Sequence, residues 1–559
     1  MPQDYDHLSH VQLIELLKRR DSERTLGLVW ERNEIESDNS INDDFVLFDK
    51  VSNLSVGTDS HKNFIMEADN FDALRWLRMT HRGAIKCIYI DPPYNTRNKS
   101  FVFNDNYVDP NDRYVHSKWL EYMYQRVRLA HDLLAPDGLL FISIDDGEVA
   151  RLRLLMDQIF PTGFMACLIW QSDGKFDNQA KFKVNHEYVL VYSIDRERIS
   201  APPVLDPNMP DSSKLFNSQI LNAITKNGPK NPISQIVLPV GFPTDFEAGL
   251  IEPRSSSWPK VLNRARVENF ALMDSLTLES GWSSKALCNS FINNGFSAVR
   301  DQKDQLTSFV LTKHGVIQYF KPRADEQSYV LSVIRNVGTT EKAKNDLKKV
   351  GVTFDYPKPV NLIKYLLSMV PGNDFTVLDF FAGTGTTGEA VMELNRTDGG
   401  HRNFILVSST EATREEPDKN ICRDACAKRL AAYFSKPINK TGVDSHFGFS
   451  YLRATTERFS DLDLGLTGPR IWLILQSAYG VPVCDYDASK DYQSFDLEEF
   501  TVVYTDKISA TAIEHLKKTA KTTRMIIYCW TPGQLRDELQ AGSSELRPLP
   551  ISLVERFRR

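Results

Sequence analysis

Two short clusters in the 559-residue chain hold side chains whose types and spacing can do chemistry. The first is Asp91-Pro92-Pro93-Tyr94, followed by Asn95-Thr96, at the end of the apolar run Ile85–Ile90. Two prolines fix the backbone and remove two N–H donors, so nearby carbonyls are held outward as acceptors. The exocyclic amine of a nucleobase is planar and a poor nucleophile, because its lone pair is delocalised into the ring. Asp91 and the Pro92 carbonyl can accept its two N–H bonds and favour the tetrahedral, positively charged form that attacks a methyl group. Tyr94 offers a flat face on which a base taken out of the helix can stack. A rigid proline turn with a buried tyrosine is the plain structural alternative.

The second cluster is Phe380-Phe381-Ala382-Gly383-Thr384-Gly385-Thr386-Thr387-Gly388, directly after a strand ending in Asp379. Glycines at a strand-to-helix turn let the backbone approach a ligand where a side chain would clash. Alone, the pattern also fits a dinucleotide pyrophosphate or an incidental glycine turn. Thirty-two residues beyond Asp379, Glu411 closes the next strand, where an acid can accept bonds from ribose hydroxyls. Glu415 and Glu416 lie close enough to compete for that role.

Both clusters need a sheet to position them. From about residue 63 the sequence alternates apolar strands with helical stretches: Ile85–Ile90, a helical Trp119–Leu134, Leu139–Ile144 and Tyr188–Tyr192. Between about 200 and 350 proline, asparagine, serine and glycine break the rhythm. It returns with a helix at Val360–Met369 and strands at Thr376–Asp379 and Asn403–Val407. Such alternation predicts an α/β fold with a mainly parallel sheet and helices on both faces. Ligands of open α/β sheets bind outside the carboxyl ends of the strands, so the two loops are expected to face each other. After about 445, apolar strands at Trp472–Leu475, Phe500–Tyr504 and Met525–Cys529 surround a helix near 511–520, predicting a small α/β unit. Ser9 caps an expected helix over residues 9–20, and a polar lead-in follows over about 33–62.

Bulk composition narrows the classes. The chain carries 42% hydrophobic and 25% charged residues, an ordinary globular balance. Net charge is −6, yet residues 201–350 hold 18 Lys+Arg against 14 Asp+Glu, so a nucleic-acid surface is expected to be local to that stretch. Seven scattered cysteines, with only Cys422 and Cys426 close together, complete no zinc set and suit a reducing cytosol. No metal is expected. The first residues lack a secretory signal pattern and no apolar run approaches the roughly 20 residues that span a bilayer, so a cytoplasmic, non-membrane protein is expected.

An ordered series of stretches resembles the β-class amino-methyltransferases, and more closely the Mod (modification) subunits of Type III restriction–modification systems. It comprises Gly27–Arg32, Ala68–Leu74, Tyr89–Thr96, His116–Leu120, Ser143–Asp146, Asn185-His186-Glu187-Tyr188, Phe354-Asp355-Tyr356-Pro357-Lys358-Pro359 and Asp379–Gly385. The resemblance covers roughly residues 10–435. It implies a Rossmann-like methyltransferase sheet built from residues 63–199 and 351–440, with S-adenosylmethionine as cofactor. Residues 1–62 would form the lead-in and 200–350 an inserted target-recognition region; residues 441–559 lie beyond the resemblance and are expected, from their own pattern, to form a C-terminal α/β interaction domain. Asp91, Pro92, Pro93 and Tyr94 would be catalytic. Asp379, Phe381, Ala382, Gly383, Thr384 and Gly385 would hold the cofactor together with Lys358 and Pro359, and Glu411 would meet its ribose. Without the resemblance, Lys358 reads as a solvated lysine before a helix. Asp69 and His186 read as supports of the fold.

The implied reaction is N6 methylation of adenine in duplex DNA after base flipping, by a homodimer working beside a helicase–nuclease restriction subunit or in another phage-defence system. Arg97, where the family usually has glycine, and the polar Ser408-Ser409-Thr410 before Glu411 depart from the pattern. The alternatives are cytosine-N4 methylation, RNA methylation, a dinucleotide-dependent oxidoreductase, and a non-catalytic DNA-recognition subunit.

Overall fold

A computed structural model describes residues 44–57, 61–95, 115–172, 181–209, 213, 219–302, 304–322, 328–412, 417–435, 448–520, 522–539 and 544–558, with Ser9, Gln12 and Ile14 as isolated positions. Most of the helix expected over 9–20, the Gly27–Arg32 stretch, Thr96, Arg97, Glu415 and Glu416 lie outside the described residues. Ser9 and Gln12 exchange reciprocal bonds, Ser9 N–H to the Gln12 side chain at 2.9 Å and Gln12 N–H to the Ser9 hydroxyl at 3.3 Å, the cap expected there.

The chain forms two compact units, residues 1–207 with 330–559, and residues 208–329. The larger unit is built on one sheet of eleven strands: β1 (Phe45–Lys50), β2 (Val56–Gly57), β3 (Phe64–Glu67), β4 (Ile85–Ile90), β5 (Leu134–Ile144), β6 (Phe164–Gln171), β7 (His186–Tyr192), β8 (Val333–Ile334), β9 (Thr376–Asp379), β10 (Asn403–Ser408) and β11 (Gly448–Glu457). Their order is β1-β11-β3-β10-β9-β4-β5-β7-β6-β8, with β2 on β11. The central run from β11 to β5 is parallel, and β7 runs antiparallel to both its neighbours. The lead-in expected over 33–62 therefore contains an edge strand, β1, whose Phe45–Phe48 are wholly buried.

Helices cover both faces, so central strands are apolar on both sides. On β4, Ile88 and Ile90 face one core with Leu74, Trp76 and Met123, while Cys87 and Tyr89 face the other with Leu362, Leu366 and Val391. The helix Asn70–His81 starts where the Asp69 carboxylate accepts from Phe71 N–H at 2.8 Å. The helix Thr386–Asp398 is bounded by Gly385 and Gly399, at φ +78° and +70°.

Crossovers leave the sheet centre in opposite directions. β9 leads through Thr386–Asp398 to β10 on one side, and β4 leads through the helix Val115–Leu133 to β5 on the other. Two adjacent parallel strands whose crossovers diverge leave a crevice beyond their carboxyl ends. The Asp91 and Gly383 loops emerge there.

The strand expected at Trp472–Leu475 is instead the middle of a helix, Gly468–Ala478. Ile471 through Ser477 are all buried, packed with the Asn70–His81 helix. A helix with no wet face shows no 3.6-residue rhythm, and a four-residue apolar run cannot separate strand from helix. The strands expected near 500 and 525 are present, in a four-stranded sheet ordered Tyr492–Asp496, Phe500–Thr505, Arg524–Cys529, Ser544–Pro548 with the helix Ala510–Thr519.

The smaller unit consists of short antiparallel ladders around a core that includes Ile236, Phe242, Leu278, Phe291 and Phe309. Its strands are two to six residues long, which is why no βαβ pattern was visible there. Among the described residues, no helix is long and apolar enough to cross a membrane.

Candidate active site

One cavity of about 870 Å³ opens at the carboxyl ends of β4 and β9. Asp91, Pro92, Pro93 and Tyr94 line it from one side; Asp379, Phe381, Ala382, Gly383 and Thr384 line it from the other, with Lys358 and Glu411. The sequence-predicted residues thus meet at one place, with two exceptions. Pro359 caps the helix Val360–Leu367 and packs on Gly338, and Gly385 lies beneath the loop against Cys426; neither is among the lining residues.

The acidic turn is held from several elements. Trp119, on the Val115–Leu133 helix, donates from Nε1 to the Pro93 carbonyl at 2.8 Å. Asn95, at φ +55°, donates to Glu148 at 2.7 Å. Tyr94 places its hydroxyl 2.8 Å from both Asp91 Oδ1 and Glu187 Oε2. Lys358 completes the group, with Nζ 2.8 Å from each Asp91 oxygen, 3.3 Å from Glu187 Oε2 and 4.8 Å from the centroid of the Tyr94 ring. Lys358 is only 9% exposed, so the solvated-lysine reading is wrong: the side chain turns inward and pairs with two partly buried carboxylates. Burial would lower its ammonium, but Asp91 and Glu187 outweigh that and hold it above the ordinary lysine value. Burial likewise raises Asp91 against the pull of Lys358.

Glu187, the second residue of β7, enters the sequence reading only as part of Asn185–Tyr188. A carboxylate near the start of a strand that is otherwise largely apolar is the available signal. Its neighbour His186 bonds to the Tyr188 hydroxyl at 3.1 Å, and Asp69 caps a helix and meets Arg126 at 3.3 Å, as supports of the fold do.

The glycine loop is built by its hydrogen bonds. Asp379 accepts from Phe381 N–H at 3.0 Å and from the Thr387 hydroxyl, and Ala382 N–H donates to Val407 at 3.0 Å. Arg429 ties the loop down from beneath, donating to Thr384 Oγ1 at 3.1 Å, Thr386 Oγ1 at 2.8 Å and Glu389 at 2.6 Å. Gly383 sits at φ +49° with just the Phe381 carbonyl oxygen, at 4.0 Å, near where a Cβ would be, which leaves the backbone approachable from the cavity. Burial pushes the Asp379 carboxyl up to about 7, against the pull of Thr387 and Phe381. A carboxyl raised on folding contributes stability that is complete below its unfolded pKa of about 4 and is lost as pH rises through the folded value. Wild-type Tm should therefore fall more steeply than that of Asp379→Asn as pH goes from 5 to 8. Parallel Tm–pH profiles would show that Asp379 does not titrate in that window.

Glu67, Asp69, Asp72 and Glu411 also line the cavity. Glu67, ending β3, is engaged by Tyr451, by Arg453 at 2.8 Å and by Asn420 at 3.0 Å, and is held below its usual range although burial opposes it. Glu411 is three residues past β10 at φ +52°, an unusual conformation for a side-chain-bearing residue, and meets Lys419 at 3.6 Å. Burial raises its carboxyl.

Comparison with known proteins agrees with this geometry. A family model described as DNA methylase matches residues 85–415. The chain is 27% identical over 453 residues to the StyLTI Mod subunit of a type III restriction-modification enzyme of Salmonella typhimurium, covering 73% of this chain and 63% of that one. It is 27% identical to the EcoPI Mod subunit of Escherichia phage P1, covering 75% and 69%, and 29% identical to the type II methyltransferase M.KpnI of Klebsiella pneumoniae, covering 65% and 84%. The chain thus spans slightly less than two thirds of the Salmonella protein's length. The matched segment starts at the first residue of β4 and runs past Glu411, so it contains both loops of the cavity and more than half of the sequence. By that match the chain belongs to the DNA methylase family.

Proposed function

We propose that this chain transfers a methyl group from S-adenosylmethionine to N6 of adenine in duplex DNA, at a specific sequence, after the base has left the helix. The observation that carries the reading is that Asp91 and Gly383 open onto the same cavity. Its volume lies at the upper end of the ~300–1,000 Å³ of ordinary ligand sites, enough to seat a cofactor beside a base.

The residues present fit the cofactor. The backbone at Gly383 and the amino end of the helix Thr386–Asp398 would hold its polar groups. Glu411, left with a looser partner than Glu67, would accept from the ribose. Phe381 adds an apolar wall. When bound, S-adenosylmethionine supplies a sulfonium-activated methyl as the electrophile. The protein's part is to orient and activate the amine. Asp91 would accept one amine N–H and favour the positive charge developing on nitrogen. The Pro93 carbonyl is committed to Trp119, so the Pro92 carbonyl would take the other N–H. Tyr94 would hold the base in line for transfer.

Adenine is favoured over cytosine because the leading residue of the tetrad is Asp91. The 208–329 unit would read the sequence. A homodimer is the assembly that the family resemblance implies; a restriction partner is suggested by relatives named as Mod subunits of type III restriction-modification enzymes, and co-purification with a restriction subunit would test it. Methylation-sensitive sequencing of a genome from cells expressing the chain tests the whole reading. N6-methyladenine at one motif is expected, absent with Asp91→Ala. N4-methylcytosine as the sole product would overturn the adenine assignment, and an unmethylated genome would favour a non-catalytic recognition subunit.

A further inference from the structure

We propose that Lys358 is an internal stand-in for the target amine, and that Glu187 is the seat to which its ammonium withdraws when a base docks. This rests on the reading that Asp91 receives the amine. An extruded base needs two things at once: an acceptor at Asp91 and the face of Tyr94. One ammonium holds both. Lys358 Nζ donates to each Asp91 oxygen at 2.8 Å and stands 4.8 Å from the Tyr94 ring centroid. A base stacked on Tyr94 with its amine on Asp91 would fill the same volume, so the two occupancies exclude each other.

The ammonium has somewhere to go. Glu187 Oε2 is already 3.3 Å from Nζ, so a small shift of a flexible side chain exchanges Asp91 for Glu187 without leaving a buried charge unpaired. Tyr94 is placed to follow the exchange. Its hydroxyl oxygen lies 2.8 Å from either carboxylate, and its single proton can be donated to whichever one the ammonium has vacated. The stand-in also explains why an empty pocket tolerates Asp91: the lysine neutralises the carboxylate until a base arrives. Lys358 and Glu187 are thus positioning residues, which act on the base through Asp91.

The full-length chain is mixed with a duplex carrying its mapped sequence, with 2-aminopurine next to the target adenine to report unstacking. Lys358→Met removes the competitor and should increase the extruded fraction, whereas Glu187→Gln weakens the retreat seat and should reduce it. Lys358→Arg, which can grip Asp91 with two parallel donors, should reduce it too. Each shift should be roughly tenfold or more, the value of one charge-assisted hydrogen bond. Glu187→Gln should also raise KM for DNA while cofactor affinity stays unchanged. Shifts of the same sign in Lys358→Met and Glu187→Gln, or no shift in either, would overturn the exchange. A wild-type chain that methylates DNA while Asp91→Ala does not keeps the proposed function standing in that event. Equal activity of wild type and Asp91→Ala would remove that function, and this inference with it.

Discussion

Asp91→Ala is expected to abolish methyl transfer, with turnover falling by about 10²–10³-fold or more, while the chain still binds duplex DNA. The amine cannot attack while its lone pair stays in the ring. The carboxylate is the one group at the end of β4 that both accepts an N–H and carries negative charge opposite the nitrogen that becomes positive. Alanine removes both contributions. It also leaves the buried Lys358 with Glu187 as its one nearby carboxylate partner among the described residues, so part of the loss would be structural, below the ~3–5 kcal/mol that breaking a fully buried ion pair costs. Asp91→Asn separates the two effects. Asparagine keeps an acceptor oxygen and the side-chain volume but not the charge, so it should fall between wild type and alanine in turnover and lie closer to wild type in Tm. Single-turnover methylation with labelled cofactor, beside DNA binding by anisotropy, measures both. Full activity of Asp91→Ala would remove Asp91 from the chemistry.

Much of this site was legible because chemistry and backbone geometry leave few choices. Two prolines after an aspartate at a strand end, and glycines after another aspartate, each restrict the residue types that work, and strand ends are where α/β sheets expose ligands. β4 and β9 were therefore readable from short apolar runs, with bounds that match the structure at Ile85–Ile90 and Thr376–Asp379. What could not be read was anything decided by partners far away in sequence. Lys358 looks like a surface lysine until Asp91, 267 positions earlier, turns it inward. Glu187 sits beside a histidine of the kind more often credited with chemistry, and only the β5-β7-β6 pairing brings it to the tetrad. The Trp472 helix was lost for a different reason. It is buried on all sides, so the contrast between wet and dry faces that reveals a helix is missing. The buried edge strand at Phe45 was obscured by its polar surroundings.

Gly385→Val should cost as much at the cofactor loop as Asp91→Ala costs at the base. Gly385 takes φ +78°, where a β-branched residue is strongly disfavoured, and its Cβ would stand 2.9 Å from Cys426 Sγ and 3.5 Å from that residue's Cα and carbonyl oxygen. The strain costs about 1–3 kcal/mol and overpacking a similar amount. The loop has little room to yield, since Arg429 pins Thr384 and Thr386 on either side and Ala382 is bonded to Val407. Displacing Gly385 must therefore move Gly383, which lines the cavity two residues earlier. Cofactor affinity should fall at least about tenfold for each ~1.4 kcal/mol by which the loop is shifted from its binding geometry, with a lowered Tm in the free protein. Cys426→Ala divides the cause. It removes the Sγ contact but neither the positive φ nor the backbone contacts, so Gly385→Val/Cys426→Ala should recover part of the lost affinity and never all of it. Complete recovery would mean that the left-handed conformation is unimportant. No recovery would mean that the thiol contact is, and that backbone conformation alone sets the loop.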